Sequence, residues 1–247
     1  MHVPSFVNPH DPTGHQTLEI ISRGEAFNRW MYKTIKPLLQ GAVLEIGSGI
    51  GNISDFVVKD GYTVSLSDYD EAYQSILSEK YNRFSNVQGV YRIDLEDPQF
   101  FSTYVDLKEK YNTIFLLNVI EHIGDHQRAI RHCSYLLKPQ GRLVVLAPAY
   151  TQLYSGLDKE LGHYRRYTKQ SLSSLLQHQR LTIVHQQYFN MLGLAGWFFW
   201  GKIARRSQLT RSTFNLYNLM IPLARLLDKM TGNKAGLSVI VTGAKNG

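Results

Sequence analysis

The 247-residue sequence has a single cysteine, Cys133, so no disulfide can form within the chain. No group of cysteines and histidines has the spacing of a zinc site, and the sequence therefore predicts no bound metal. The first forty residues contain neither a basic-then-apolar signal pattern nor an apolar run long enough to span a bilayer. Together these absences predict a cytoplasmic protein.

Acidic residues are almost absent from the last part of the chain. Residues 191–247 contain eight basic residues and one acid, Asp228, so this segment carries the whole formal net charge of +7. A local basic surface suits an acidic membrane face, a phosphate-bearing substrate or a solvated helix face, and these three alternatives stay open.

Short β-rich runs alternate with helical stretches from Ala42 onward. The predicted strands are 43–46, 62–66, 87–93, 113–118, 142–147, 181–188 and 237–242. Helices are expected at 52–59, 71–81, 98–108, 125–137 and 169–177, after a helix pair within 18–39. Near-continuous apolar strands must be covered on both faces, so this order predicts an α/β, doubly wound, Rossmann-like fold with a mainly parallel seven-stranded sheet.

We expect four segments along the chain: an N-terminal arm with helices (1–40), a Rossmann-like core (41–190), a helical lid insertion (191–235) and a final core strand (236–247). Residues 1–16 form a polar arm that holds three prolines and lacks apolar periodicity. Its histidines, His2, His10 and His15, are therefore interpreted as part of a polar arm rather than as a metal site.

A glycine-rich turn follows the first predicted strand. Gly47, Gly49 and Gly51 stand where this strand leads into a helix, and glycine permits both unusual backbone angles and a close approach of backbone to ligand. Asp68 closes the next predicted strand, where a carboxylate can accept both hydroxyl groups of a ribose. These features predict a site for a nucleotide-like ligand.

Two residues near this turn favour S-adenosylmethionine over a dinucleotide. The dinucleotide fingerprint G-x-G-x-x-G requires a glycine at the position where this chain has Asn52. Glu45, two residues before the turn, would repel a pyrophosphate but attract a ligand's ammonium group or a neighbouring amide.

The segment 45–51 resembles motif I of class I S-adenosylmethionine-dependent methyltransferases, of the small-molecule type represented by the methyltransferase type 11/12 group. Segments 93–95, 118–123 and 137–143 are similar to later motifs of that family, although Gln140 replaces the first glycine of its L-K-P-G-G turn. The resemblance covers roughly residues 20–190. It implies a methyltransferase that uses S-adenosylmethionine and releases S-adenosylhomocysteine.

The resemblance also implies roles for single residues. Asp68, or Asp70 nearby, would hold the ribose of the cofactor. Asp94 would bind the adenine amino group and the backbone amide of Leu95 would meet the ring, although Asp94 could instead cap the helix that follows. Asn118, at the end of the fourth predicted strand, completes the predicted cofactor-binding set.

A polar loop stands between the fifth predicted strand and the next helix, on the edge where open α/β sheets bind ligands. Tyr164, Arg165, Arg166 and Tyr167 bring two guanidinium groups and two phenols together, which suits recognition of an acidic or aromatic substrate. Trp197 is added to this predicted substrate-binding set. The alternative is a salt-bridged loop in which the tyrosines pack.

His122 and His163 are the predicted general bases, because an unperturbed imidazole titrates near neutral pH. The expected function is O- or N-methylation of a small-molecule, aromatic or lipid-like acceptor. The alternatives are an NAD(P)-dependent oxidoreductase and a non-catalytic S-adenosylmethionine-binding protein. No N/D-P-P-Y/F tetrapeptide follows the fourth strand, which disfavours nucleic acid as a partner.

An aromatic run at 191–200 is followed directly by Lys202, Arg205 and Arg206. The run is shorter than the ~20 residues that span a bilayer. Its aromatic-then-basic order suits a helix lying at a membrane interface, so peripheral membrane contact through 191–211 is one hypothesis. A helical lid packed on the core is the other.

Overall fold

The computed structural model describes residues 19–20, 22, 24–197 and 216–247. The predicted polar arm at 1–16 and most of the aromatic and basic segment at 191–211 lie outside these described residues. Helix α1 spans Glu25–Ile35 and continues into a 3-10 turn at Lys36–Leu38. Pro37 lies in this turn, where its missing amide hydrogen interrupts the helical hydrogen-bond pattern.

The core alternates strands and helices, as the sequence predicted. Its strands are β1 (Val43–Ile46), β2 (Val64–Asp68), β3 (Val87–Arg92), β4 (Tyr111–Leu117), β5 (Leu137–Pro148), β6 (Leu181–Phe189) and β7 (Ser238–Lys245). Its helices are α2 (Ser54–Lys59), α3 (Glu71–Tyr81), α4 (Phe100–Thr103), α5 (His126–Leu136), α6 (Gly156–Glu160) and α7 (Lys169–His178). Helices α8 (Met191–Trp197) and α9 (Ile221–Met230) fall within the predicted insertion.

The strands form one seven-stranded sheet in the order β3-β2-β1-β4-β5-β7-β6. Strands β1 to β5 pair in parallel, and β7 runs antiparallel to both of its neighbours, β5 and β6. The prediction of a doubly wound, mainly parallel seven-stranded sheet is therefore confirmed.

Alternation along each strand divides the core between the two faces of the sheet. In β1, Leu44 and Ile46 pack into one hydrophobic cluster, whereas Val43 packs into the other. Residues i and i+2 of a strand share a face, so both clusters need apolar residues and the strand becomes continuously apolar.

Within the described residues, no helix combines the length and apolarity needed to cross a membrane.

Most predicted elements differ from the observed ones by one to three residues at an end, and two differ more. The helix expected at 98–108 is split into α4 and a 3-10 turn at Val105–Leu107. At the start of α4, the carbonyl of Gln99 accepts hydrogen bonds from the amides and the hydroxyl groups of both Ser102 and Thr103. Strand β5 begins at Leu137 rather than at residue 142, because Leu137 already pairs with Tyr111 of β4.

Candidate functional site

The predicted site residues converge at the carboxyl edge of the sheet. Strand β1 lies between β2 and β4 and runs parallel to both, so the loops that follow these three strands meet at one edge. Open parallel sheets bind ligands at this edge, close to the point where the strand order reverses. The topology thus brings the glycine turn, Asp68 and the segment 118–122 together.

The glycine turn has the backbone shape that only glycine adopts readily. Gly47, Gly49 and Gly51 have φ angles of +75°, +54° and +82°, all in the left-handed region. A Cβ atom on Gly47 would lie 2.3 Å from Cγ2 of Val119, which follows β4. Glycine is therefore required at position 47 both by the backbone angle and by this close approach.

Asp68 connects the glycine turn to the end of β2. Its carboxylate accepts hydrogen bonds from the backbone amides of Gly49 at 2.8 Å and Asp70 at 3.0 Å. Burial raises the pKa of Asp68, although these amides oppose the shift. Asp70 caps α3 by accepting from the amide of Ala72 at 2.8 Å, which leaves Asp68 as the carboxylate nearest the turn.

Glu45 lies inside the protein rather than at the surface of the turn. Its side chain is buried, and one carboxylate oxygen accepts a hydrogen bond from the hydroxyl of Ser54 at the start of α2. Burial raises the pKa of Glu45 to about 8. In this position the carboxylate links β1 to α2 across the glycine turn.

The remaining predicted cofactor residues follow β3 and β4. One carboxylate oxygen of Asp94 accepts from the amide of Glu96 at 2.7 Å, which closes a local turn; the alternative of a helix cap is wrong, because Gln99 is the N-cap of α4. The side chain of Leu95 is buried, and its carbonyl accepts from Nδ1 of His132 at 3.0 Å. Asn118 is exposed and has a φ of +55°. Their cofactor contacts stay predictions.

Glu121 and His122 lie in a 3-10 turn at Ile120–His122, three residues beyond the end of β4. The Glu121 side chain is completely buried, and neither of its carboxylate oxygens has a hydrogen-bond partner in the described part of the chain. Burial raises its pKa to about 8. His122 is exposed, and its ring packs edge-on against the ring of His163 with centroids 4.7 Å apart.

Asp158, which the sequence interpretation missed, organises the loop that carries His163. One of its oxygens accepts from Nδ1 of His163 at 2.9 Å and from Nε of Arg166 at 2.8 Å. The other accepts from the amide and the hydroxyl of Ser155. Burial alone would raise the pKa of Asp158, but the hydrogen bonds from His163 and Arg166 outweigh it and lower the pKa. The S-x-x-D spacing of a capping box was the available signal.

Arg166 and Tyr167 of the predicted substrate set are buried. The Arg166 guanidinium donates to the carbonyl of Ala149 at 3.2 Å and lies 4.5 Å from the ring centroid of Trp197. The hydroxyl of Tyr167 forms a hydrogen bond with Nδ1 of His126 at 2.9 Å. These three predicted residues hold the loop together in the described structure, and their substrate contacts stay predictions.

Tyr164 and Arg165 have a different environment from the two residues that follow them. The Tyr164 side chain is 62% exposed. The Arg165 guanidinium is half-buried and donates to the carbonyl of Gly124 at 2.9 Å. Of the four predicted side chains in this loop, these two are the ones that an incoming acceptor can reach directly.

Comparison with known proteins agrees with this arrangement. A family model described as a methyltransferase domain matches residues 25–186 of the chain. A protein of Mycobacterium tuberculosis named as a probable S-adenosylmethionine-dependent methyltransferase is 29% identical over 136 residues, which cover 54% of this chain and 46% of that protein.

A ubiquinone biosynthesis O-methyltransferase of Coxiella burnetii is 28% identical over 101 residues, covering 41% of each chain. Among solved structures, the phosphoethanolamine N-methyltransferase 2 of Haemonchus contortus, in complex with S-adenosyl-L-methionine, aligns with a TM-score of 0.57 at 14% identity. That alignment covers 89% of this chain and 52% of the other. The chain spans less than half the length of the curated relatives that it matches.

Proposed function

The chain belongs to the methyltransferase-domain family, and from this premise we propose that it transfers the methyl group of S-adenosylmethionine to a hydroxyl group of a small-molecule or lipid-like acceptor. The observation that carries the proposal is the hydrogen bond between Asp158 and His163. It orients an imidazole at the same edge of the sheet as the glycine turn. An oxygen acceptor needs a group that can take its proton, and an oriented imidazole is suited to that role.

The cofactor side supplies a donor and acceptor set that fits S-adenosylmethionine. The left-handed glycines bring backbone close to the ligand, and Asp68 offers a carboxylate for the ribose hydroxyls. Asp94 and the amide of Leu95 are assigned to the adenine, and Asn118 completes the proposed cofactor-binding set. When bound, this cofactor supplies an electrophilic methyl group on a positively charged sulfur.

His163 acts as the proton acceptor. Because Nδ1 of His163 donates to Asp158, the lone pair on Nε2 is the one available to an acceptor hydroxyl. The acceptor oxygen bonds to the methyl carbon as its proton passes to Nε2, and the carbon–sulfur bond breaks with its electron pair retained by sulfur. Asp158 is a positioning residue, held in turn by the buried guanidinium of Arg166.

A first experiment measures cofactor binding and transfer separately. Calorimetric titration of the full chain with S-adenosylmethionine and with NAD(H) is expected to show binding of the former only. Incubation with methyl-labelled S-adenosylmethionine and fractionated cell extract then identifies the acceptor by mass. Binding of NAD(H) alone would overturn the proposal in favour of the oxidoreductase. Cofactor binding without labelled product or S-adenosylhomocysteine would leave a non-catalytic binder, and a labelled amine would overturn the oxygen acceptor.

A second experiment tests His163 with a matched control. His163→Gln is expected to lower kcat by about 100-fold or more, the usual contribution of general base catalysis, while the Kd for S-adenosylmethionine stays unchanged. His178→Gln, at the exposed end of α7, is the control and is expected to behave as the wild type. Equal kcat values for the two variants would remove His163 from the mechanism.

A lipid-like acceptor is supported by the region around α9. Residues 216–219 are also helical, and Leu216, Leu219, Leu223, Leu226 and Met230 follow one another at alternating steps of three and four. All five are exposed, between 47% and 77%. This spacing places Leu223, Leu226 and Met230 along one face of α9, and Leu216 and Leu219 precede them across a turn at Met220. We call these five residues together the apolar stripe.

Basic side chains accompany this apolar stripe. A cleft of about 570 Å³ between α1 and α9 is lined by Lys33, Arg225 and Lys229. An apolar stripe beside cationic groups fits an anionic lipid surface, which would deliver a lipid-like acceptor to the protein. Cosedimentation with phosphatidylcholine vesicles with and without phosphatidylglycerol tests this contact. Leu219→Glu is expected to abolish sedimentation with anionic vesicles, whereas binding equal to the wild type would exclude the stripe.

A further inference from the structure

Three potential metal ligands meet on the acceptor side of the sheet edge. Glu121, His122 and His163 each offer one ligand atom, and these atoms all lie within 4.8 Å of one another. Glu121 and His122 come from the turn after β4, whereas His163 comes from the loop after α6. We propose that these three side chains bind a divalent transition-metal cation.

The buried carboxylate of Glu121 is the observation that points to a ligand. Its side chain has no exposed surface, and neither oxygen has a hydrogen-bond partner in the described chain. Buried polar groups in folded proteins nearly always have a hydrogen-bond partner. A buried group without one has lost its bonds to water and gained none in exchange, which costs free energy. Burial raises the pKa of Glu121, its own backbone amide lowers it, and the charges of Arg166 and Asp158 act on it in opposite directions. A cation between Glu121 and the two imidazoles would meet this requirement.

Asp158 supplies the supporting contact that metal-binding histidines usually have. The bond from Nδ1 of His163 to Asp158 fixes the ring and leaves Nε2 as the nitrogen that can ligate. A carboxylate behind a ligating histidine is the common arrangement in metal sites, where it sets the tautomer and the ring orientation. The buried guanidinium of Arg166 donates to the same oxygen of Asp158 and balances its charge.

The donor set selects the class of cation. Two imidazoles and one carboxylate suit Zn²⁺, Mn²⁺, Fe²⁺ or Co²⁺, whereas Mg²⁺ and Ca²⁺ prefer sites built from oxygen atoms alone. Ligand atoms of a tetrahedral Zn²⁺ site lie about 3.4 Å apart, given bond lengths of about 2.1 Å. The ligand atoms, which lie within 4.8 Å of one another, must therefore close by at most about 1.4 Å. His122 is exposed, so its side chain can change rotamer more readily than a core residue.

Three protein ligands leave at least one coordination position open toward solvent. Its use in catalysis rests on the proposed function, because an acceptor hydroxyl is the group that would occupy this position. In the metal-loaded protein the cation lowers the pKa of a bound hydroxyl, and its proton leaves to water. In the metal-free protein Nε2 of His163 is the proton acceptor, as in the proposed function. The binding of the cation itself needs no acceptor and no cofactor.

Direct measurement of cation binding tests the proposal. The full chain is freed of metal with a chelator and titrated by calorimetry with ZnCl₂, MnCl₂ and MgCl₂ in separate experiments. We expect one Zn²⁺ or Mn²⁺ per chain, with Mg²⁺ at least about 10-fold weaker. Titration with CoCl₂ is expected to produce the visible absorption of a cobalt–imidazole site. Absence of a stoichiometric site for the transition metals would overturn the proposal.

Variants locate the site. Glu121→Gln and His122→Ala are each expected to weaken cation binding at least about 10-fold, and His178→Ala, an exposed histidine outside the cluster, is the control. If Glu121→Gln fails to fold, the exposed position of His122 keeps the test decisive. Binding to His122→Ala with wild-type affinity would overturn the assignment. Titration with S-adenosylmethionine in the same samples reports the cofactor site independently, so failure of one proposal is distinguishable from failure of the other.

Discussion

Glu45 on the cofactor side and Glu121 on the acceptor side are buried at the same sheet edge, and burial raises the pKa of each to about 8. Glu45 accepts a hydrogen bond from Ser54, whereas Glu121 has no such partner in the described chain. The two carboxylates are thus equally buried, but only Glu45 is hydrogen-bonded to another side chain of the described protein. Glu121 is the carboxylate that the proposed cation would bind.

The two sides are also held in place by different means. The cofactor side depends on backbone angles at the glycines and on the bond between Gly49 and Asp68, which lie within one β-α-β unit. The acceptor side depends on the buried contacts of Asp158 with His163 and Arg166, which align a separate loop against the turn after β4. The cofactor side is therefore held by local backbone conformation, and the acceptor side by hydrogen bonds between side chains.

The largest expected effect comes from the buried ion pair of that network. Arg166→Met leaves the buried carboxylate of Asp158 without its cation, and removing one partner of such a pair costs about 3–5 kcal/mol of the free energy of unfolding. Arg165→Met is the matched control, since its guanidinium is half-buried with one bond to a carbonyl. Urea denaturation of both variants measures the difference, and equal losses would contradict the role of Asp158 as the centre of the network.

The buried carboxylate of Glu45 is expected to make the free energy of unfolding depend on pH. Because burial raises the folded-state pKa from 4.5 to about 8, the folded protein binds the proton more tightly, and stability falls as pH rises from about 5 to about 8. The Glu45→Gln variant cannot bind or release this proton, so its stability lacks this pH dependence. Each unit of pKa shift corresponds to about 1.4 kcal/mol, so the wild type should lose on the order of a few kcal/mol relative to the variant.

Thermal and urea unfolding of both proteins at pH 5.5 and pH 9 checks this prediction. Glu121 titrates in the same range, but it is present in both proteins and cancels in the difference. Parallel pH profiles for the wild type and Glu45→Gln would show that the Glu45 carboxylate is not kept protonated by burial.

The smallest expected effect separates backbone angle from close approach in the glycine turn. Gly47→Ala combines a φ of +75° with a contact to Val119, whereas Gly61→Ala has a φ of +78° and no neighbouring atom within 4 Å. The left-handed conformation alone costs roughly 1–2 kcal/mol, so both variants should lose that amount. Gly47→Ala should lose more, and only this variant should weaken S-adenosylmethionine binding. Equal stability and unchanged affinity would contradict the glycine-turn assignment.

Sequence periodicity predicted most of the fold because each strand and helix is specified locally. The bounds of β1 and α3 match the prediction residue for residue, since a continuously buried run defines β1 and capping by Asp70 defines the start of α3. The split of α4 from the following turn was missed because Phe100, Tyr104 and Leu107 keep helical spacing through both elements and pack in the same core cluster. Their spacing therefore does not mark the break.

Motif spacing placed the glycine turn and Asp68 correctly at one edge, because parallel strands with buried faces leave few other topologies. It could not separate Tyr164 and Arg165 from Arg166 and Tyr167, which are neighbours in sequence but differ in burial. It also missed Asp158, whose partners lie on the other side of its loop.

The sequence by itself determined the α/β alternation, the glycine turn and the family, since these depend on residues close together in the chain. Only the tertiary structure decided which charged groups meet, because Glu121, Asp158, His163 and Arg166 come together through folding of two separate loops. Burial also depends on the tertiary structure, and it raises the pKa of both Glu45 and Glu121. Glu45 is hydrogen-bonded to Ser54, whereas Glu121 lies near two imidazoles in the proposed cation site.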